Sequence, residues 1–534
     1  MATMRPLAFG AVFTLALIVA CSSSDDATPD GSTPTVDGGT TQDSGTSRPA
    51  PTPLPALTNV YTTVDRIYSP ASTKEDATRT KNPALVENLA AELSLGEIVE
   101  GAGEAYLSIT IDGSPVPTPG PNAKRLVRFA HLADMQVADD ESPMRLGLFD
   151  AAGPTSGALR PQDPALCRMA NAAVRTINAL HAKDPLSFTL LGGDSADSAQ
   201  SNEIDWVLGL LSGSPSLECD SGNDDDPVAG PDNDGKDPFV ASGLAMPWKW
   251  LTGNHDVEIQ GNLVVDATTK ATSIGSLAGG GTRRYDVALP GTLDHGNVTV
   301  ADPRRILLDG TELVTRIADH GDGHGLGAAE KSSGRATYTF DVPGTALRFL
   351  VIDTAHAGGD AEGCITQREV DRIIKPSLDA AKAAGKTVVL ASHHPTDSLS
   401  DGTGLGSAGP EPDALTADQW RALVGTYDNV VLSLVGHDHR ARVTPLAPAG
   451  GHAWWELMTP AIADWPHQLR TIEIFDQDDG WLMIRATCVD VALENDPVTA
   501  DGKKRGTVDL LTGWLPQGTM NPTDRNVEVW IRKP

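Results

Sequence analysis

The sequence predicts an α/β fold from three observations. From residue 126 onward, short apolar runs alternate with amphipathic stretches of helical period, the pattern of strands joined by helices. Five of those runs end in a polar cluster rich in Gly, Asp or His. Hydrophobic residues make up 40% and charged residues 21% of the 534, a globular balance in a chain long enough for a large core with appendages.

Residues 1–21 have the form of a targeting segment. Arg5 gives a positive start, and 7–20 is an apolar run with one Thr, short for a bilayer span and suited to a signal-peptide core. It ends in Ile18-Val19-Ala20-Cys21, which resembles a lipobox and makes Cys21 the candidate for lipidation; an ordinary secretory signal with an incidental Cys is the alternative. Ser22 rather than Asp follows, so the expected location is the cell envelope, lipid-anchored at the outer membrane on its periplasmic or surface side. Residues 22–55 are rich in Ser, Thr, Asp, Gly and Pro and form a tether with no core to bury. Residues 56–124 are an N-terminal elaboration with a helix at 83–95 and a strand at 106–111.

The core domain is placed at 125–492. Its strands are expected at 126–132, 188–191, 248–251, 347–352, 387–390 and 430–435. Helices are expected at 163–182, 203–211, 367–384 and 416–424. In the first of these, Leu166, Met169, Ala170, Ala173 and Ile177 share a face. Strands at 453–458, 471–475 and 481–488 follow without helices between them. Two long inserts, 212–245 and 257–335, interrupt the alternation, and 493–534 is a C-terminal extension.

The chain carries 71 acidic and 41 basic residues, a net charge of -30. That balance repels phosphate backbones, so nucleic-acid binding is not expected. A site for a phosphate ester must then carry its own positive charge, which bound metals supply. There are five Cys. With Cys21 lipidated, Cys167, Cys219, Cys364 and Cys488 allow three pairings among which the sequence does not choose. None forms a C-x-x-C pair, which argues against a zinc–thiolate site.

The polar clusters are His131-Leu132-Ala133-Asp134-Met135-Gln136, Gly192-Gly193-Asp194-Ser195-Ala196-Asp197, Gly253-Asn254-His255-Asp256, Ser392-His393-His394-Pro395 and Gly436-His437-Asp438-His439. Any one of them could be a turn or a helix cap. In open α/β sheets, however, ligands gather at the carboxyl ends of strands, so five clusters so placed can converge on one point.

Their order and spacing resemble the calcineurin-like metallophosphoesterase superfamily, whose pattern is D-x-H, G-D-x-x-D/N, G-N-H-D/E, a single or paired His, and G-H-x-H. The resemblance covers about 126–490. Stretches 139–148, 194–206 and 321–327 are similar to a bacterial subgroup of envelope phosphoesterases. The resemblance implies a four-layer αββα sandwich of two mixed sheets flanked by helices. It also implies two divalent transition metals (Mn, Fe or Zn) and hydrolysis of a phosphorylated small molecule by a metal-bridging hydroxide attacking phosphorus in line. Asp194 would bridge the metals. Asp134, Gln136 and His439 would complete one site, and Asn254, His393 and His437 the other. His255 would act on the leaving oxygen, with Asp256 orienting it. His324, His394 and Asp197 are the candidates for substrate contact.

Gln136 departs from the pattern, which has His there. It is a weaker ligand, or it hydrogen-bonds a metal-bound water, or the first metal is lost. On the same residue rests the rival reading, a non-catalytic phospholigand-binding lipoprotein that keeps the metal fold. Mono- and diester cleavage, the natural substrate and the oligomeric state are not read from these motifs. Of the lesser candidates, 232–237 lacks the Glu that would close a calcium loop, and the late histidine His467 is a candidate for lining the cleft.

Overall fold

Continuous apolar runs become central strands and alternating runs become half-covered ones. The computed structural model describes residues 50–71, 96–147, 150, 156–222, 235–276, 299–407, 409–511 and 522–534. The expectations for 1–21, Cys21, the tether up to residue 49 and the helix at 83–95 fall outside these residues.

Strands are β1 (Arg66–Pro70), β2 (Ile98–Ala102), β3 (Leu107–Thr110), β4 (Lys124–Leu132), β5 (Thr189–Leu191), β6 (Ser214–Leu217), β7 (Phe239–Ala241), β8 (Trp248–Lys249), β9 (Tyr338–Asp341), β10 (Leu347–Val351), β11 (Thr387–Ala391), β12 (Val430–Val435), β13 (Arg442–Leu446), β14 (Trp454–Met458), β15 (Gln468–Asp476), β16 (Trp481–Asp490) and β17 (Asn526–Arg532). A six-stranded sheet has the order β13-β14-β12-β11-β10-β9 and a seven-stranded sheet the order β3-β17-β16-β15-β4-β5-β8. In the first, β14, β12, β11 and β10 are parallel between antiparallel edges. Every residue of β12, VVLSLV, is buried, as a parallel strand covered on both faces requires. In the second, β4, β15, β16 and β17 are antiparallel, while β5 and β8 extend β4 in parallel.

The sheets pack face to face through one apolar core. Phe129 of β4 meets Phe349 of β10 edge-on at 5.4 Å between ring centres. Trp455 of β14 donates its indole N–H to the Trp530 carbonyl of β17 at 3.1 Å, which satisfies a buried donor between the layers. Helices flank the pair, so the fold is the two-sheet α/β arrangement expected.

The helix Leu166–Lys183 buries Leu166, Met169, Ala170, Ala173 and Ile177 as predicted. It starts later than expected because Asp163–Ala165, with Pro164, forms a 3₁₀ turn. The predicted helix over 367–384 carries a π turn at Val370–Ile374, entered through a Thr366–Glu369 capping box. Several elements were missed. β9, β13 and β17 are strands, Pro497–Leu511 is a helix, and the insert at 257–335 contains the helix Gly310–Ala318, capped by Asp309. The sheet also draws on both flanks of 125–492: β3 precedes that segment, β17 follows it, and the two pair in parallel. Cys167 and Cys219 form a disulfide with Cα atoms 6.4 Å apart, while Cys364 and Cys488 are buried free thiols. Among the described residues, no helix is long and apolar enough to cross a membrane.

Candidate metal centre

The clusters follow strands that are parallel within each sheet, β4, β5 and β8 in one and β11 and β12 in the other, and the loops that carry them are sharply bent. Asp134, Gln136, Asp194, His437 and His439 have φ of 51°, 42°, 52°, 76° and 57°, a region that residues other than Gly rarely enter. Two motif glycines leave room for carboxylates. A methyl on Gly253 would stand 2.1 Å from Asp194 Oδ1, and one on Gly436 2.6 Å from Asp134 Oδ2. Gly here permits the close approach that the clustering needs.

Asp194 is central. Its Oδ2 lies 3.1 Å from His393 Nε2 and 4.0 Å from His255 Nε2, and it accepts a long hydrogen bond from Gln136 Nε2 at 3.4 Å. Its Oδ1 accepts the His255 backbone N–H at 2.9 Å. Asp134 Oδ1 is 3.4 Å from His439 Nε2 and 3.9 Å from His393 Nε2. One ligand atom each from Asp134, Asp194 and His393 lies within 4.8 Å of the others, and so does one each from His393, His394 and His437.

Four buried ligand-type atoms in this cluster have no hydrogen-bond partner: Gln136 Oε1, Asn254 Oδ1, His393 Nε2 and His437 Nδ1. Asn254 donates its Nδ2 to the Gly261 carbonyl at 3.1 Å, which turns its oxygen free. Orphaned acceptors at this depth are costly unless something fills the space between them. Carboxylate, imidazole and amide oxygen together fit divalent first-row cations.

The imidazoles are aimed from behind. His439 Nδ1 pairs with Asp464 Oδ2 at 2.6 Å, His393 Nδ1 donates to the Gly192 carbonyl at 2.7 Å, and His255 Nδ1 donates to the Asp197 carbonyl at 2.7 Å. Each bond leaves Nε2 facing the cluster. Burial by itself lowers the basicity of His393 and His439, but neighbouring carboxylates more than reverse it. Asp194 raises His393 to about 9, and Asp464 and Asp134 raise His439 to about 10. Burial and His393 push His437 down to about 4. Burial would raise Asp194, yet His393 and His255 hold it well below the usual carboxylate range. The carboxylates thus demand positive charge, which protons meet here and cations can replace.

Asp134, Gln136, Asp194, Asn254, His393, His437, His439 and His255 therefore come together. Four other placements correct the sequence-based expectations. Asp256 does not orient His255. It accepts the Ser195 and Ala196 N–H groups at 2.9 and 3.0 Å and the Gly253 N–H at 2.8 Å, locking the Asp194 loop to the Asn254 loop. The orienting residue is Asp197, whose Oδ1 also stands 3.5 Å from His255 Nδ1. Asp197 is wholly buried and held by Gln260 at 3.0 Å and Arg145 at 3.3 Å, so it is not a substrate contact. His394 is buried with both ring nitrogens engaged, by Thr354 Oγ1 at 2.9 Å and the Ala361 carbonyl at 3.0 Å. His324 stacks on Trp248, with ring centres 3.2 Å apart, at the start of β8 and not at the strand end. His467 is core: it is fully buried, and its Nδ1 bonds the Ile462 carbonyl at 2.7 Å. Sequence reading missed Asp464, which stands three residues before His467.

No family model matches the chain, and no curated protein matches it. Several solved structures are similar, three of them as follows. A dimetal phosphatase from Danio rerio is 11% identical, with a TM-score of 0.38 over 69% of this chain and 100% of that one. The sulfate thiohydrolase SoxB of Thermus thermophilus, in complex with glycerol, is 13% identical, with a TM-score of 0.28 over 74% of this chain and 61% of that one. GAP50, the anchor in the inner membrane complex of Plasmodium, is 11% identical, with a TM-score of 0.26 over 74% of this chain and 97% of that one. At these identities and scores, none of the three decides what this chain does.

Proposed function

We propose that this protein is a metal-dependent phosphoric-ester hydrolase of the calcineurin-like metallophosphoesterase type, acting on a phosphorylated small molecule at a two-metal site. The observation that carries the reading is the convergence of five strand-end clusters on Asp194, with Gln136 Oε1, Asn254 Oδ1 and His437 Nδ1 left without partners.

Asp194 would bridge the two ions, with Asp134, Gln136 and His439 on one side and Asn254, His393 and His437 on the other. Two divalent cations held there supply Lewis acidity and a nucleophile derived from water at neutral pH. His255 contributes from outside the ligand set. Its Nδ1 hydrogen is committed to the Asp197 carbonyl, so a proton available for the leaving oxygen sits on Nε2. Burial lowers the basicity of His255, but in the metal-free protein Asp194 and Asp197 reverse this and raise it above the ordinary imidazole value. His255, His437 and His439 are the ligand-side rings with partly exposed side chains, at 12–13%, and they form the edge a substrate would meet.

The same reading places the enzyme outside the cytoplasm, anchored by lipid at Cys21. Mass spectrometry of the mature N-terminus tests this; cleavage elsewhere or an unmodified Cys21 removes the anchor. The function is tested by elemental analysis of the purified protein together with turnover of p-nitrophenyl phosphate and its bis ester under added Mn. Two ions and turnover are expected. Metal without turnover would favour the phospholigand-binding alternative.

A further inference from the structure

Beneath the cluster, one buried cation links two residues that the proposed reaction uses separately. Arg160 has a side chain only 4% exposed. Its Nε lies 3.0 Å from Asp464 Oδ1, and its Nη1 lies 3.6 Å from Asp197 Oδ1. Asp464 is the carboxylate behind His439, at 2.6 Å. Asp197 is the residue behind His255. The series His439–Asp464–Arg160–Asp197–His255 therefore runs from one proposed metal ligand to the proposed proton donor, its Arg160–Asp197 step an ion pair at 3.6 Å and not a hydrogen bond.

We propose that Arg160 is a positioning residue that fixes His439 and His255 together, a role that rests on the two-metal hydrolase reading above. Buried carboxylates are stable as anions only when paired. Asp464 holds His439 through its carboxylate, whereas Asp197 holds His255 through its main-chain carbonyl and sets its carboxylate 3.5 Å from the same ring nitrogen. The planar guanidinium offers donors in a rigid fork and can serve two carboxylates at fixed separation; an ammonium is a single point charge and cannot. Arg145 does not duplicate the link. It braces Asp197 from the other side at 3.3 Å and pairs with Asp163. The role also bears on Gln136. With an amide in place of an imidazole, the first metal relies more on His439, whose strength as a donor depends on Asp464 remaining ionised and oriented.

The test uses the full-length protein as purified, stripped of metal and titrated with Mn(II) by calorimetry. Turnover of p-nitrophenyl phosphate, a good leaving group, is then compared with that of phenyl phosphate, a poor one. Asp464→Asn identifies the binding step that belongs to the His439 side. Asp197→Asn should leave that step alone and depress turnover mainly for phenyl phosphate. Arg160→Gln is expected to do both: to weaken the His439-side step by about 10-fold and to lower phenyl phosphate turnover by about 10-fold more than that of p-nitrophenyl phosphate. Arg160→Lys should restore one effect and not both, because a point charge can sit against only one carboxylate. If Arg160→Gln fails to fold, Arg160→Lys carries the test through that split. Arg160→Gln with both metal steps unchanged, or with equal losses for the two esters, overturns the proposal while the hydrolase reading stands. Wild type that binds two ions and hydrolyses neither ester sinks the hydrolase reading, and the His255 half of the proposal with it.

Discussion

The two flanks of Asp194 are built to different specifications. On one, Asp134, Gln136 and His439 face the cluster, and His439 is backed by the carboxylate of Asp464 at 2.6 Å. On the other, Asn254, His393 and His437 face it, and His393 is backed by the Gly192 carbonyl at 2.7 Å. A carboxylate behind an imidazole makes it a stronger donor than a neutral carbonyl does. On the proposed ligand set, the flank that carries the amide of Gln136 thus has the carboxylate-backed histidine. Judged only by the atoms proposed to touch a metal, the Gln136 side would rank as defective; the carboxylate behind His439 offsets that.

The largest effect should come from removing what the flanks share. Asp194→Asn takes away the carboxylate that offsets repulsion between two cations. Both metals should be lost and activity should fall by about 10³-fold or more. Retention of two ions at near-normal rate would show that the flanks hold their metals independently. Asp464→Asn acts on one flank only. It should weaken one step of a metal titration by about 10–100-fold and leave the other in place; equal weakening of both would erase the asymmetry. Gln136→His should tighten that same step and raise activity at limiting metal, whereas Gln136→Ala should loosen it. Affinity unchanged in both variants would mean that Gln136 is no ligand and only holds a water.

How far the sequence foretold this centre depends on which contacts are local. The strand ends were legible because a continuous apolar run such as Val430–Val435 stops abruptly at Gly436-His437-x-His439, and period and polarity change at the same residue. What misled was adjacency. Asp256 follows His255 and was expected to touch it, yet consecutive side chains point different ways, and Asp256 turns to backbone amides. His393 and His394 diverge in the same manner: the first faces Asp194 and the second faces Thr354. Asp464 was illegible because it reaches His439 across 25 residues with no motif spacing to mark it. β17 was missed because it follows no polar cluster, and its place between β3 and β16 depends on a pairing with the N-terminal segment that no local pattern announces.

The last effect is read in stability and not in metal affinity or rate, and concerns the ground under each flank. His131 lies below Gly192, where a methyl would stand 3.2 Å from its Nε2, and bonds Thr459 Oγ1 at 2.6 Å. His467 lies below Asp464 and donates its backbone N–H to the Asp464 carbonyl at 2.8 Å. Both are fully buried. Burial, with Arg470 for one and Lys503 for the other, lowers each from 6.5 to about 3. Below pH 6.5 the unfolded chain therefore binds a proton at each position that the folded chain refuses. Their contribution to stability is complete above pH 6.5 and is lost as pH falls toward 3, with a slope of about 1.4 kcal/mol per pH unit for each histidine. Urea unfolding of the metal-free protein at pH 6.0, 5.0 and 4.0 measures this. His467→Gln and His131→Gln should each flatten the acid slope by about that amount, whatever they do to stability at neutral pH. If only one variant flattens it, the acid sensitivity belongs to one flank, and the loop that loosens first in acid is the one resting on that histidine. If neither does, both imidazoles accept protons in the folded state, and the floor of the centre admits water that its buried geometry does not suggest.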